Sequence, residues 1–265
     1  VNGVQGTSGA SPAATIADGT LDLGGFFSGP GGGLTKTLTV NDSQLANVAT
    51  DLHISADIVS APDVSLTRAG GGTLRLSGNN IGLTGPYIMA GGIVEIDSSN
   101  AFGSGLVSVQ NNGIVLKAIN GAKTIANAIS LDSNVSTLGD NITFDGDITL
   151  TGDRYVLVMD ATQTVTINGV IGEGIFGNRT FGKSGRGDLV LTAANTFSGE
   201  TQVLDDGGRL ILRDNGSILN SHTIRVRDKA QLILDNTGAA NLNDRIRDDV
   251  FYVADGGDLV LKAGT

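Results

Sequence analysis

The chain contains no cysteine and no tryptophan, and aromatic residues make up only 4% of its 265 residues. Without cysteine, a disulfide framework, a thiolate zinc site and a cysteine nucleophile are all excluded. Proline occurs only four times, which argues against a proline-rich linker and against a collagen-like chain. Apolar runs are short, such as 155–159, whereas a membrane-spanning helix needs roughly 20 apolar residues.

Basic residues are also scarce. Lys and Arg number 17 against 27 Asp and Glu, which gives a formal net charge of −10. We therefore predict no nucleic-acid partner, because phosphate contacts need a basic patch. Hydrophobic residues nevertheless reach 40%, which is enough to build a core. The chain has 40 glycines, about twice the number expected from the average glycine content of proteins.

Apolar and polar residues alternate with a period of two in many short segments. Glycine, asparagine and aspartate separate these segments, a pattern that predicts short strands joined by turns. The best candidate for a helix is the short segment 42–50. The clearest alternating segments are 73–76, 93–96, 142–144, 165–167 and 223–226.

Two long segments, 66–96 and 181–212, resemble each other. The aligned positions include Arg68 with Lys183, Leu74 with Leu189, and Gly91 and Gly92 with Gly207 and Gly208. The segment 257–261 repeats 187–191 residue for residue, so we expect the chain to be part of a longer array. Its start at Val1, without a basic segment and an apolar run, predicts a processed, secreted or excised segment.

Repeated short strands with one apolar stripe predict a solenoid, since stacking successive turns buries a continuous core. At roughly 20 to 25 residues per turn, the chain would make about 11 turns and a rod on the order of 50 Å long. We predict a glycine-rich N-terminal cap or irregular segment over 1–33. A continuous β-solenoid would follow over 34–265, with two long repeat units and the start of another.

A series of motifs within 169–199 resembles the autotransporter-associated β-strand repeat of bacterial passenger domains. The matching segments are 169–172 (GVIG), 183–185 (KSG), 188–192 (DLVLT) and 195–199 (NTFSG). This resemblance implies an all-β, right-handed parallel β-helix with few or no helices. It also implies display on, or release from, a Gram-negative-type cell, where such passengers are commonly adhesins, self-association factors or stalks.

The sequence offers four candidate sites. His53 and His222 are predicted to be ordinary surface strand or turn residues. The segment 6–12 resembles a subtilisin-type nucleophile signature with Ser8 as nucleophile, but nothing upstream could hold the Asp and His, so a small-residue turn is favoured. Arg186-Gly187-Asp188 is an integrin-type tripeptide, yet it falls at the usual glycine-rich turn of the repeat.

The fourth feature is a set of acidic turns, for which solvation is the default interpretation and adventitious calcium the alternative. Paired carboxylates on a β-helix would also suit glycan cleavage. Such enzymes usually need a groove lined by aromatic residues and arginines, and residues of these types are sparse in this sequence. The acidic turn residues are Asp140, Asp145, Asp147, Asp153, Asp205, Asp206, Asp244, Asp248 and Asp249.

The sequence as a whole predicts a non-catalytic structural or adhesive solenoid, outside the cell or on its outer surface. We assign no catalytic, cofactor-binding or metal-binding residue and expect no cofactor. The expected partners are a host or bacterial cell surface, extracellular matrix or another copy of the chain. Two alternatives remain open: a self-assembling subunit of an extracellular filament or sheath, and, less favoured, a glycan-active β-helix enzyme.

Overall fold

The computed structural model describes residues 13–24, 34–43, 49–175, 177–204 and 207–264. Within these ranges the chain forms 27 short strands and a single 3₁₀ turn, Asn80–Gly82. The strands are β1 Ala14–Ile16, β2 Thr20–Asp22, β3 Leu34–Thr39, β4 Leu52–Ile54, β5 Asp57–Val59, β6 Val64–Ala69, β7 Thr73–Leu76, β8 Tyr87–Met89, β9 Ile93–Ile96, β10 Val107–Val109, β11 Ile114–Ala118, β12 Lys123–Ile125, β13 Ile129–Leu131, β14 Val135–Gly139, β15 Ile142–Phe144, β16 Ile148–Leu150, β17 Arg154–Val158, β18 Thr164–Ile167, β19 Ile171–Glu173, β20 Phe181–Ser184, β21 Asp188–Leu191, β22 Thr201–Val203, β23 Arg209–Arg213, β24 Thr223–Arg227, β25 Gln231–Asp235, β26 Phe251–Asp255 and β27 Asp258–Lys262.

The strands stack into three large sheets, and the paired strands within each sheet run parallel. The first sheet has eleven described strands in the order β1-β4-β7-β9-β11-β14-β17-β20-β22-β24-β26. The second has the order β12-β15-β18-β21-β23-β25-β27, and the third the order β3-β6-β8-β10-β13-β16-β19. The strands β2 and β5 form a separate two-stranded sheet. In chain order they follow β1 and β4, so they occupy the place of the second sheet in the first two coils. The predicted right-handed parallel β-helix is confirmed, and the eleven strands of the first sheet match the predicted number of coils.

The coils differ in length, but their strands remain paired in register. Leu74 pairs with Val94, 20 residues on, whereas Thr223 pairs with Phe251, 28 residues on. Longer coils place their extra residues in corners and loops, so the paired strands remain in register. Successive inward positions therefore form continuous apolar columns, such as Leu189, Leu210 and Leu232, which are all fully buried.

Two buried cations mark equivalent corners of the two long repeats. The side chain of Arg68 donates to the carbonyl oxygens of Gly70, Gly72 and Gly91, and to that of Ile93 at 3.3 Å. Lys183 similarly donates through Nζ to the carbonyl of Gly185. Both residues are fully buried. The glycine-rich corners of the repeat thus hold a positive charge with backbone oxygens.

The second glycine of each aligned pair, Gly92 or Gly208, packs closely against the buried cation. A Cβ on Gly92 would collide with the guanidinium of Arg68, and a Cβ on Gly208 would collide with Lys183 Nζ and with a backbone carbonyl. No side chain fits at either position without displacing the corner. Gly92 and Gly208 are therefore required by the buried cations that they pack against, whereas Gly91 and Gly207 adopt positive φ.

The two repeats nevertheless lie on different faces. Arg68 is in β6 of the third sheet, and its aligned partner Lys183 is in β20 of the first sheet. Likewise, Leu74 belongs to the first sheet and Leu189 to the second. The repeat unit is thus five coils and one further face long, which rotates its second copy by one face.

The N-terminal coil is built partly from the segment that was predicted to be a cap. β1 pairs with β4 and β2 pairs with β5, so 14–16 and 20–22 already belong to the solenoid. The rest of the predicted cap, 1–12 and 25–33, lies outside the described residues, as do 44–48 of the helix candidate. The boundary at residue 33 remains a prediction.

Candidate functional site

The outward face of the first sheet carries a groove of about 480 Å³. Its floor follows the register of adjacent strands, because Ser136 pairs with Leu157 and Leu157 with Ser184. Side chains alternate across a strand, so these three residues all point away from the core. The lining, which we call the Tyr155 groove, consists of Asn112, Gly113, Asn134, Ser136, Tyr155, Leu157, Ser184 and Leu204.

Tyr155 is the aromatic residue of this groove, and its ring lies over the neighbouring strand. Its register partner is Gly182, where a Cβ would overlap the ring. Its hydroxyl donates to Gln202 Oε1 at 2.8 Å. Burial raises the pKa of Tyr155, and the nearby carboxylates of Asp153 and Glu200 raise it further. The phenol therefore stays protonated near neutral pH and remains a hydrogen-bond donor.

A chain of polar contacts extends from Tyr155 towards the C-terminal coils. Gln202 Nε2 donates to Glu200 Oε2 at 2.8 Å, and Arg225 Nε donates to Glu200 Oε1 at 2.9 Å. Each contact orients the next group, so the network restrains the tyrosine hydroxyl and the glutamine amide. The result is a preformed strip of hydroxyl, amide and aromatic surface on a rigid sheet.

A histidine–serine pair lies further along the same sheet. His53 Nε2 is 2.7 Å from Ser77 Oγ, a distance compatible with a base and its nucleophile. Burial lowers the pKa of His53, and Arg75 lowers it further, whereas Asp97 and Glu95 act in the opposite direction. The described residues provide no carboxylate hydrogen bond to the imidazole, so the third member of a catalytic triad is not assembled here.

Ion pairs between successive coils surround this pair. Arg75 binds Asp97 through Nε at 3.1 Å and also through Nη2, and Asn120 donates to the same carboxylate at 2.9 Å. Burial alone would raise the pKa of Asp97, but the hydrogen bonds from Arg75 and Asn120 lower it overall. Lys117 Nζ lies 3.0 Å from Glu95. These charges neutralise one another across the strands.

The sequence-based interpretations have different outcomes. His222 is an exposed residue that contacts Arg247, in line with its predicted surface position, whereas the contact of His53 with Ser77 was not anticipated. In the integrin-type tripeptide, Gly187 is buried and the Asp188 carboxylate binds Arg209 in a two-point contact. Ser8 lies outside the described residues.

Three of the acidic turn residues bind the backbone of neighbouring coils. Asp147 accepts the backbone N–H of Val170 at 2.8 Å, and Asp153 accepts that of Thr180 at 2.9 Å. Asp140 accepts the N–H of Gly121 in the same way. In the described part of the chain no group of three or more potential metal ligands comes together; Asp205 and Asp206 lie outside it.

No family model, curated protein or solved structure matches this chain. Among the described residues, no helix has the length and apolar character required to cross a bilayer.

Proposed function

We propose that this chain is a structural and adhesive rod of a secreted or surface-displayed bacterial protein. The eleven coils share one core, which suits a stiff element that holds contact surfaces away from a cell. The motifs within 169–199 that resemble the autotransporter-associated β-strand repeat support the assignment to a passenger-like protein. The partner would be a cell surface or an extracellular matrix.

The observation that carries this proposal is the Tyr155 groove. It offers an oriented phenol, the amides of Asn112 and Asn134, and apolar surface from Leu157 and Leu204. Such a mixture suits weak contacts with a polar macromolecular surface, because aromatic residues supply contact area at a low entropic cost. Many copies on one surface would then bind by avidity, without a deep pocket.

Adhesion of coated beads tests the proposal. Beads carrying the wild-type chain at high density should adhere to bacterial cells or matrix-coated surfaces, and Tyr155→Ala should remove most of this adhesion. Ile175→Ala is the matched control, because Ile175 is 95% exposed and does not line the groove. Thermal melting of each variant checks that the rod remains folded.

Two results would contradict the proposal at different levels. Wild-type beads that adhere no better than uncoated beads would remove the adhesive function itself. Adhesion that survives Tyr155→Ala unchanged would show that the contact surface lies elsewhere on the rod.

A further inference from the structure

The two asparagines of the Tyr155 groove are anchored through their oxygens only. Asn134 Oδ1 accepts the backbone N–H of Tyr155 at 2.9 Å, and Asn112 Oδ1 accepts the hydroxyl of Ser133 at 2.6 Å. Within the described residues, neither Nδ2 amide group has a hydrogen-bond partner. Both asparagines are exposed, so the protein holds each side chain in place while its N–H groups face solvent.

The serine hydroxyls of the groove are also unused by the protein. Ser136 and Ser184 point outward from β14 and β20 and are half-buried. No other residue in the described part of the chain hydrogen-bonds to either hydroxyl. Since a hydroxyl can both donate and accept, the groove offers two amide donors and two groups of mixed character to a ligand.

Outward polar groups of the same sheet behave differently on either side of the groove. Lys117 Nζ lies 3.0 Å from Glu95, and Arg225 Nε lies 2.9 Å from Glu200. These charges satisfy one another across the strands, whereas none of the eight described residues that line the groove is charged. The groove therefore suits a ligand that is rich in hydroxyl groups and carries no charge.

Tyr155 adds an aromatic surface beside these polar groups. Its register partner Gly182 has no side chain, so the ring crosses that strand and its hydroxyl donates to Gln202 at 2.8 Å. Tyr155 is only half-buried, which leaves part of the ring accessible. The electron-rich face of an aromatic ring attracts groups with a partial positive charge, as the C–H groups on one side of a sugar ring are.

The groove is elongated along the stacking direction of the coils. Its lining lies in or next to five successive strands of the first sheet, β11, β14, β17, β20 and β22. At about 4.8 Å per strand this gives a length of about 19 Å, more than a monosaccharide occupies. Each of these strands has a paired neighbour on both sides, so a peptide cannot bind here by adding a strand.

We propose that the Tyr155 groove binds a neutral oligosaccharide. The amides of Asn112 and Asn134 donate to sugar hydroxyls, and Ser136 and Ser184 exchange hydrogen bonds with them. The ring of Tyr155 contacts the C–H face of one sugar. Binding of this kind rests on the proposed adhesive function and gives the contacted surface a chemical identity, the neutral glycans of a cell or a matrix.

A panel of immobilised oligosaccharides tests the ligand class. The wild-type chain should bind at least one neutral oligosaccharide of glucose, galactose, mannose or N-acetylglucosamine. It should not bind oligogalacturonate, because the groove has no basic side chain to pair with the carboxylates. A chain that binds no neutral oligosaccharide, or that prefers the acidic one, would overturn the proposal.

The groove hydroxyls are tested by a double variant, Ser136→Ala with Ser184→Ala, which breaks no hydrogen bond within the described residues. Isothermal titration calorimetry with the best neutral oligosaccharide should show a dissociation constant raised about tenfold, the combined effect of two lost hydrogen bonds. Thr143→Val with Thr166→Val is the matched control, since it removes two outward hydroxyls from neighbouring strands of the second sheet. Equal losses from both double variants would contradict binding in the groove.

Two substitutions of Tyr155 separate the ring from its hydroxyl. Tyr155→Ala should weaken binding about tenfold or more, whereas Tyr155→Phe keeps the ring and should bind almost as tightly as wild type. Thermal melting of each variant checks that the rod remains folded. A phenylalanine variant that loses as much affinity as the alanine variant would contradict a contact between the ring and a sugar.

Periodate treatment of the target surface separates this proposal from the adhesive function. Mild periodate cleaves the vicinal diols of sugars and should abolish the adhesion of wild-type beads. Adhesion that resists periodate would overturn the oligosaccharide proposal and leave the adhesive function standing, and its loss after protease digestion would then identify a protein partner. Beads that do not adhere, although the chain in solution binds a neutral oligosaccharide, would overturn the adhesive function alone.

Discussion

Arg68 and Lys183 show that single buried cations stabilise this rod through hydrogen bonds to backbone oxygens. Both are fully buried, and their described hydrogen bonds go to carbonyl groups in glycine-rich corners. Burial lowers the pKa of Arg68 while nearby Tyr87 and Asp51 raise it. Removing the side chain would leave buried carbonyls without donors, which costs more than the hydrogen bonds themselves contribute.

We therefore expect Arg68→Ala to reduce the free energy of unfolding by about 2–4 kcal/mol. Arg68→Lys should lose less, because Lys183 performs the same role at the equivalent corner. Urea unfolding followed by circular dichroism measures both effects. An unchanged midpoint for Arg68→Ala would show that the corner does not depend on its buried cation.

At the scale of the structural element, the corner between β6 and β7 offers two adjacent glycines in different surroundings. A Cβ on Gly71 would meet no heavy atom within 4 Å, whereas one on Gly72 would lie 2.6 Å from the carbonyl oxygen of Asn41 and 2.8 Å from Asp51 Oδ2. Neither glycine has a positive φ. The two substitutions therefore differ in packing, with backbone strain absent from both.

Gly72→Ala should destabilise the protein by about 1–3 kcal/mol, because the segment of Asn41 must move. Gly71→Ala should be neutral or stabilising by up to about 1 kcal/mol, since alanine restricts the unfolded chain more than glycine does. Thermal or urea midpoints of the pair decide the matter. Equal losses from both substitutions would contradict a packing origin.

At the scale of the whole molecule, each coil contacts mainly the coils before and after it. A solenoid of this type has a stability that is approximately a sum of coil and interface contributions, so opening should begin at the ends. Leu259 and Leu261 are exposed in the last coil, while Val156 and Val165 in the seventh coil are almost fully buried.

Hydrogen exchange measured by mass spectrometry should therefore show the fastest exchange in β1, β2, β26 and β27, and the slowest around β14 to β18. Uniform protection along the chain would indicate a single cooperative unit instead.

The sequence was sufficient for the coil architecture because its signals are local. Alternating strands and glycine pairs each lie within one or two coils, and the match of Arg68 with Lys183 is recognised by comparing two such local segments. The Tyr155 groove could not be predicted in this way, since Tyr155 and Gln202 are 47 residues apart. Their contact depends on the lengths of the intervening corners, as does the contact of His53 with Ser77, and those lengths vary from coil to coil.

The rotation between the two long repeats has a consequence for the directions in which the rod presents its surface. The aligned residues Arg68 and Lys183 lie on the third and the first sheet, so a surface feature encoded once in each long repeat points in two different directions. The segment 257–261 leads into β27 of the second sheet, the same sheet as β21 of the segment 187–191 that it repeats, so this rotation belongs to the two long repeats alone. Those two repeats could therefore engage partners on two sides of the rod at once.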